Sequence, residues 1–119
     1  YLFRQSVLSQ LTKDHSLVEE LIRNGSISRE EAKTHPQRNI ITRAVGTSND
    51  IESDLIIQKR LKNDILLLCT DGLTNMLVDE EIEKHLINNE DMQKVCEELV
   101  ILANNKGGFD NITVLAIKF

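Results

Sequence analysis

The sequence has few aromatic residues and no long apolar run. Only 3% of its 119 residues are aromatic and tryptophan is absent, so the core must be built from leucine, isoleucine and valine. The longest apolar runs, Ile65–Cys69 and Ile112–Ile117, are far shorter than the roughly 18 residues that a transmembrane helix needs. We therefore predict a protein without a membrane span.

Positive charge and cysteine are also scarce. The chain has 14 lysines and arginines against 19 aspartates and glutamates, which gives a net charge of -5. Nucleic-acid-binding proteins need clustered cations to neutralise phosphates, so we expect no nucleic-acid partner. Cys69 and Cys96 both lie among aliphatic residues, as small buried hydrophobes do. Cysteines of this kind are typical of a reducing compartment, and no signal peptide is apparent, so we predict a cytoplasmic protein.

The composition is that of a globular domain, with 40% hydrophobic and 28% charged residues. The chain opens with Tyr1–Phe3, which is typical of the interior of a strand. This opening predicts a fragment of a larger domain.

The pattern along the chain predicts strands alternating with helices. Ser16 with Glu19, and Ser28 with Glu31, have the spacing of helix capping boxes. The predicted elements are a hairpin turning at 5–6, helices at 15–24 and 28–34, a short strand at 39–45, an antiparallel pair at 53–59 and 64–70, a helix at 80–88 capped by Asp79, a helix from 91, and a strand at 112–119. The aliphatic strand at 64–70 is expected to be buried on both faces. This order favours an α+β domain with antiparallel sheets.

The first candidate functional residue is Asp71, which follows the aliphatic strand and precedes Gly72. Such a strand holds a carboxylate rigidly at the edge of a sheet. The alternative is an ordinary hairpin turn, because Asp-Gly is a strong turn signal. That alternative is weakened because the next segment is helical in pattern. A P-loop signature is absent from the sequence, and a haloacid-dehalogenase site would need an aspartate where Cys69 stands.

The second candidate is Asp110, which follows Gly107 and Gly108 and precedes a strand. Taken alone, this segment fits a helix stop and an Asx-type turn better than a site. Taken together, Asp71 and Asp110 are two carboxylates at strand ends, and such a pair is costly when brought close unless a cation lies between them. Oxygen ligands without histidine or cysteine suit Mg²⁺ or Mn²⁺ better than Zn²⁺.

Four segments together carry a family resemblance. They are LTKDHS at 11–16, HPQRNIITRAVG at 35–46, LLLCTDGLTN at 66–75 and GGFDNIT at 107–113. In this order and spacing the sequence resembles the C-terminal half of the bacterial metal-dependent serine/threonine phosphatases, the protein phosphatase 2C family.

The resemblance implies a fold, a reaction and a set of site residues. The fold would be part of an αββα sandwich, with two antiparallel sheets packed between helices. Asp71 and Asp110 would be ligands of two or more Mg²⁺ or Mn²⁺ ions, and the substrates would be proteins phosphorylated on serine or threonine. A water between the metals would attack phosphorus, so no protein nucleophile is required. Residues 14–45 would form a mobile flap, in which His35 and Arg38 either contact substrate or simply face solvent.

The resemblance also implies what this chain lacks. In the family, further acidic ligands and the arginine that grips phosphate precede the matching region, so we expect no useful phosphatase activity from these residues alone. Half a sandwich also exposes apolar sheet surface, so we expect a marginally stable or oligomeric chain. The alternative function is a non-catalytic, phosphatase-like module that binds proteins.

Overall fold

The computed structural model describes residues 1–87 and 89–119, which fall into two compact units. The first unit comprises Tyr1–Leu11 and Gln58–Phe119, and the second comprises Thr12–Ile57. Within the described residues, no helix has the length and apolar character that crossing a membrane requires.

Strands and helices alternate along the chain. The strands are β1 (Leu2–Arg4), β2 (Val7–Ser9), β3 (Ile65–Cys69) and β4 (Val114–Lys118). The helices are α1 (Leu17–Arg23), α2 (Arg29–Lys33), α3 (Asp71–Thr74), α4 (Asp79–Leu86) and α5 (Met92–Asn105). The predicted α+β class is confirmed.

The first unit is built on one antiparallel sheet with strand order β2-β1-β3-β4. The predicted hairpin between β1 and β2 is present, and Gln5 and Ser6 take the positive φ values, 51° and 65°, that a tight hairpin turn needs. The predicted strand at 53–59 is wrong, because residues 51–60 form no regular element. Both edges of β3 are instead occupied, one by β1 and the other by β4.

Helices cover one face of this sheet. The core brings together Ile65 and Leu67 of β3 with buried residues of α4 and α5. Helix α4 begins one residue earlier than predicted: its N-cap is Val78, not Asp79, and the backbone N–H of Val78 donates to the Glu81 carboxylate at 3.1 Å. The predicted end of this helix, Asn88, lies outside the described residues.

The opposite face of the sheet is apolar and exposed. Leu68 of β3 is 51% exposed, and its cross-strand partner Leu115 of β4 is 49% exposed. Ile117, the partner of Leu66, is 42% exposed. We call Leu66, Leu68, Leu115 and Ile117 the outer face. The prediction that β3 is buried on both faces is therefore wrong for the described chain, because helices pack on only one of them.

The second unit contains the two short helices with the predicted caps. The Ser16 hydroxyl accepts from the Glu19 N–H at 3.3 Å, and Ser28 and Glu31 form a complete capping box. The predicted strand at 39–45 is reduced to a single bridge between Ser16 and Ile41. This stretch bonds to the chain at the start of α1 instead of to a strand, since the Thr42 N–H donates to the carbonyl of residue 15 at 2.8 Å.

Candidate functional site

Asp71 is held at the point where β3 passes into α3. It is the first residue of this short helix, and its carbonyl accepts from the Asn75 N–H at 2.8 Å. The next two residues, Gly72 and Leu73, are buried, so they fix the backbone from the inside while the Asp71 side chain stays exposed. The predicted hairpin alternative is thus excluded, because the chain continues into a helix.

Asp110 lies in the loop between α5 and β4. The backbone hydrogen bonds that close the end of the helix include those from the Gly107 N–H to the Asn104 carbonyl at 3.0 Å and from the Gly108 N–H to the Ala103 carbonyl at 3.2 Å. Both glycines have positive φ, 136° and 54°, a conformation that favours glycine. The Asp110 carboxylate is exposed and accepts from the Asn111 N–H at 2.7 Å.

Hydrogen bonds join the two aspartate-bearing segments. The Thr70 hydroxyl donates to the Asn111 carbonyl at 2.9 Å and accepts from the Thr113 N–H at 3.0 Å. The Thr70 N–H also donates to the Thr113 carbonyl at 3.1 Å. The residue before Asp71 is therefore bonded to the residue that follows Asp110.

Close packing joins the same segments on the other side of Asp71. A Cβ added at Gly72 would lie 2.3 Å from the Asn111 carbonyl oxygen and 3.3 Å from the Ile112 side chain. Only a residue without a side chain allows this approach. Gly72 is thus required for the contact between the segments that carry Asp71 and Asp110, which we call the two aspartate loops. This reason differs from the hairpin turn that was the alternative interpretation of Asp71–Gly72.

The available donors are carboxylate oxygens, which Mg²⁺ and Mn²⁺ prefer. Asp71 and Asp110 are both exposed and stand on loops in contact, and carboxylates drawn together favour a cation between them. In residues 1–87 and 89–119, however, no group of three or more histidine, cysteine, aspartate or glutamate side chains is arranged to hold a metal ion. The two aspartates fit part of a ligand set for such an ion.

Curated relatives match almost the whole chain. The serine/threonine phosphatase Stp of Listeria monocytogenes is 45% identical over 118 residues, which are 99% of this chain and 47% of the relative. A putative protein phosphatase 2C-type protein of Streptococcus pyogenes is 44% identical over 107 residues, 90% of this chain and 44% of its own length. The chain belongs to the protein phosphatase 2C family. It spans about half the length of the curated relatives it matches, and no family model matches it.

Solved structures of family members have the same fold. The Streptococcus agalactiae serine/threonine phosphatase superposes with a TM-score of 0.90 at 43% identity, covering 97% of this chain and 47% of that one. The catalytic domain of the phosphatase PstP, solved in complex with two manganese ions, gives a TM-score of 0.84 at 36% identity, covering 98% of this chain and 47% of its own. The fold of this chain is therefore similar to that of about half of each of these solved structures.

The remaining predicted site residues, His35 and Arg38, lie in the second unit just after α2. The His35 ring accepts from the Gln37 N–H at 3.2 Å through Nδ1, and the Arg38 N–H donates to the His35 carbonyl at 3.1 Å. The Arg38 side chain is exposed and that of His35 is half-buried. This family segment is a compact turn, and the role of both side chains stays a prediction.

Sequence reasoning missed a charged cluster in the second unit, formed by His15, Arg43 and Asp54. His15 Nε2 lies 2.8 Å from Asp54 Oδ2 and 2.9 Å from Arg43 Nη1, and Arg43 Nη1 donates to Asp54 Oδ1 at 3.1 Å. Hydrogen bonds from His15, and then from Arg43, hold the pKa of the Asp54 carboxyl below its usual value. The three residues are far apart in sequence and have no recognisable spacing, so no local signal identifies them.

The surroundings of Cys96 do not activate its thiol. Burial raises the pKa of its thiol, which disfavours the thiolate that attacks substrates. Cys96 lies on α5 and lines a surface groove with Val100, Ile112 and Val114 among its other lining residues. These surroundings fit a structural residue.

Proposed function

We propose that this chain supplies part of the metal site of a phosphatase that removes phosphate from phosphoserine and phosphothreonine in proteins. The observation that carries the proposal is the contact between the loops of Asp71 and Asp110. The Thr70 hydroxyl bonds to both Asn111 and Thr113, and Gly72 lies against the Asn111 carbonyl. These contacts on each side of Asp71 hold its segment beside that of Asp110, which supports a cation shared by the two carboxylates.

Each aspartate is suited to hold an ion in a fixed place. Asp71 is anchored by the buried Leu73, which is 0% exposed, and Asp110 by the ordered end of α5. Rigid placement matters because Mg²⁺ accepts little deviation from octahedral geometry. Bound divalent ions supply the Lewis-acid part of phosphoester hydrolysis. The two manganese ions of the related PstP structure support Mn²⁺ as a cofactor, and Mg²⁺ is the chemically similar alternative.

Other features of the proposal concern substrate recognition and assembly. Residues 14–45 are proposed to act as the flap, with His35 and Arg38 facing phosphoprotein substrates in the cytoplasm. The relatives carry about as much chain again as the part matched here. We propose that the missing ligands, the phosphate-binding arginine and a second sheet covering the outer face come from that additional length. The non-catalytic binding module is not favoured, because the relatives are named phosphatases.

A chimaera tests the proposal directly. This chain replaces the matching half of the Listeria phosphatase, and hydrolysis of a phosphothreonine peptide is measured with Mn²⁺ and with Mg²⁺. We expect an active chimaera, and little or no hydrolysis by the 119-residue chain alone. Asp71→Asn and Asp110→Asn should each lower the rate by at least about 100-fold, because even the outer partners of metal ligands cost about 10- to 100-fold.

The matched control is Asp50→Asn, which removes an exposed carboxylate outside both loops. We expect it to leave the rate unchanged. Full activity of the Asp71→Asn or the Asp110→Asn chimaera would contradict the metal assignment. A folded but inactive chimaera, beside an active Listeria phosphatase, would favour the binding module.

A further inference from the structure

The Thr70 hydroxyl extends the contact between the two loops beyond the end of the sheet. The β3–β4 pairing ends at Cys69 opposite Val114, and one further backbone bond runs from the Thr70 N–H to the Thr113 carbonyl. The hydroxyl then reaches the Asn111 carbonyl at 2.9 Å while accepting from the Thr113 N–H at 3.0 Å. It thereby fastens the residue next to Asp110, which the backbone pairing does not reach.

The need for such a tether follows from the loop that carries Asp110. Two glycines with positive φ precede Asp110, and glycine has more backbone freedom than any other residue. Past the end of the strand pairing, the hydrogen bonds of Thr70 and the close approach of Gly72 to Asn111 restrain this loop against the β3 end. A threonine hydroxyl suits this place because it donates and accepts at once.

We propose that Thr70 is a positioning residue of the metal site, whose hydroxyl sets the separation of the Asp71 and Asp110 carboxylates. The inference rests on the proposed function, since it concerns ions held by these two aspartates. Thr70 is also the N-cap of α3, but its side chain makes no capping hydrogen bond. Removal of the hydroxyl therefore leaves the helix cap unchanged and breaks only the contacts with the Asp110 loop.

The test is a Mn²⁺ titration of the isotope-labelled chimaera, in which the rest of the Listeria phosphatase completes the proposed metal site, monitored by NMR spectra of the backbone amides. Paramagnetic Mn²⁺ broadens nearby amide signals, and the midpoint of broadening at the two aspartate loops measures affinity. The variant Thr70→Val keeps the branched shape of the side chain and removes its hydroxyl. We expect it to raise the midpoint roughly three- to tenfold, the effect of one or two lost hydrogen bonds. Thr70→Ser keeps the hydroxyl and should stay within about twofold of the unsubstituted chain.

Thr113→Val is the matched control. The backbone N–H and carbonyl of Thr113, and not its hydroxyl, contact Thr70, so we expect no change in midpoint. An equal midpoint for Thr70→Val and the unsubstituted chain overturns the inference and leaves the proposed function standing. An equal rise for Thr70→Val and Thr70→Ser also overturns it. If Mn²⁺ broadens neither loop of the chimaera that carries the unsubstituted chain, the proposed function itself is contradicted.

A second measurement requires neither a variant nor a metal. If the tether operates, the amide of Asn111 has an order parameter near that of rigid backbone, about 0.85. A value below about 0.6, typical of a flexible loop, overturns the inference even when Thr70→Val does not fold.

Discussion

The Arg4 guanidinium and the Asp64 carboxylate form a two-pronged ion pair in the first unit. Arg4 Nε donates to Oδ1 at 2.9 Å and Nη2 donates to Oδ2 at 2.7 Å, while Asp64 is only 2% exposed. Asp64 Oδ2 also accepts from the Leu61 N–H at 2.6 Å, and Arg4 donates to the Lys59 carbonyl at 2.7 Å. The pair therefore ties the end of β1 to the turn that leads into β3.

This pair makes the stability of the chain depend on pH. The hydrogen bond from Arg4 above all, and also that from the Leu61 N–H, keeps the pKa of the Asp64 carboxyl below its ordinary value despite burial. A lowered pKa contributes stability above the unfolded-state pKa, and this stability is lost as pH falls through the folded-state pKa. We expect the urea midpoint to fall between about pH 5 and pH 2.

The Asp64→Asn chain isolates this effect, because asparagine does not titrate. We expect a lower urea midpoint at neutral pH and a weaker dependence on acid. Asp50→Asn, which changes an exposed aspartate, should leave both quantities unchanged. The prediction is wrong if Asp64→Asn unfolds at the same urea concentration as the unsubstituted chain.

The core of the first unit gives a prediction with a magnitude. Leu99 of α5 is 0% exposed, whereas Ile101 on the same helix is 59% exposed. Leu99→Ala should lower the free energy of unfolding by about 2–5 kcal/mol, since it removes buried apolar contacts and leaves a cavity. Ile101→Ala should change it by less than about 0.5 kcal/mol. Urea denaturation of the two variants measures both values, and equal losses would contradict the packing described here.

Gly72→Ala should disturb the contact between the two aspartate loops. The added methyl would lie 2.3 Å from the Asn111 carbonyl oxygen, so one loop has to move. We expect the midpoint of Mn²⁺ broadening to rise by at least about tenfold, a cost of about 1.4 kcal/mol.

Gly46→Ala is the comparison for this variant. It has nothing within 4 Å of the added Cβ but a φ of +87°. We expect this backbone strain to lower the stability of the second unit and to leave Mn²⁺ binding unchanged. Equal Mn²⁺ midpoints for Gly72→Ala and the unsubstituted chain would show that the close approach has no bearing on the site.

The charged cluster of the second unit can be tested in the same chain. Asp54→Asn removes the anion that faces His15 and Arg43, so we expect the second unit to be less stable at neutral pH. The Thr42 amide, which donates to the His15 carbonyl, should exchange its hydrogen faster. Because the pKa of Asp54 is lowered, the second unit of the unsubstituted chain should likewise lose stability as the pH falls through that pKa.

The control for Asp54→Asn is Glu52→Gln. The Glu52 side chain is 85% exposed, and its Oε2 lies 3.7 Å from Arg43 Nη2, where an ion pair contributes little. We expect no change in exchange at Thr42. Similar hydrogen-exchange rates of the Thr42 amide in both variants would show that the Asp54 carboxylate does not stabilise the second unit.

The exposed outer face predicts self-association of the chain. Leu68 and its partner Leu115 are both about half exposed, at 51% and 49%, and contiguous apolar surface of this kind marks an interface. We expect sedimentation to show dimers or larger species, and the double change Leu68→Gln with Leu115→Gln to shift them towards monomer. Ile101→Gln, on the exposed side of α5, should have no such effect. A stable monomer of the unsubstituted chain at high concentration would refute the prediction.

Short-range patterns in the sequence were sufficient for the elements whose stabilising contacts are local. The caps at Ser16 and Ser28 bond to residues three positions on, and the turn at Gln5 and Ser6 sets the register of its own hairpin. The candidate aspartates also stand at the predicted junctions between elements, because Asp71 begins α3, with one residue separating it from β3, and Asp110 lies between α5 and β4.

The remaining features depend on long-range contacts. Because the partners in these contacts lie at no fixed spacing in the sequence, no local pattern predicts them. The sequence by itself determined the α+β class, the helix caps and the hairpin, because local backbone hydrogen bonds and side-chain periodicity specify them. Only the tertiary structure decided that β3 pairs with β1 and β4 instead of residues 53–59, and that Thr70 and Gly72 contact Asn111. These contacts depend on which distant segments pack most favourably against one another, and that depends on the free energy of the whole folded chain.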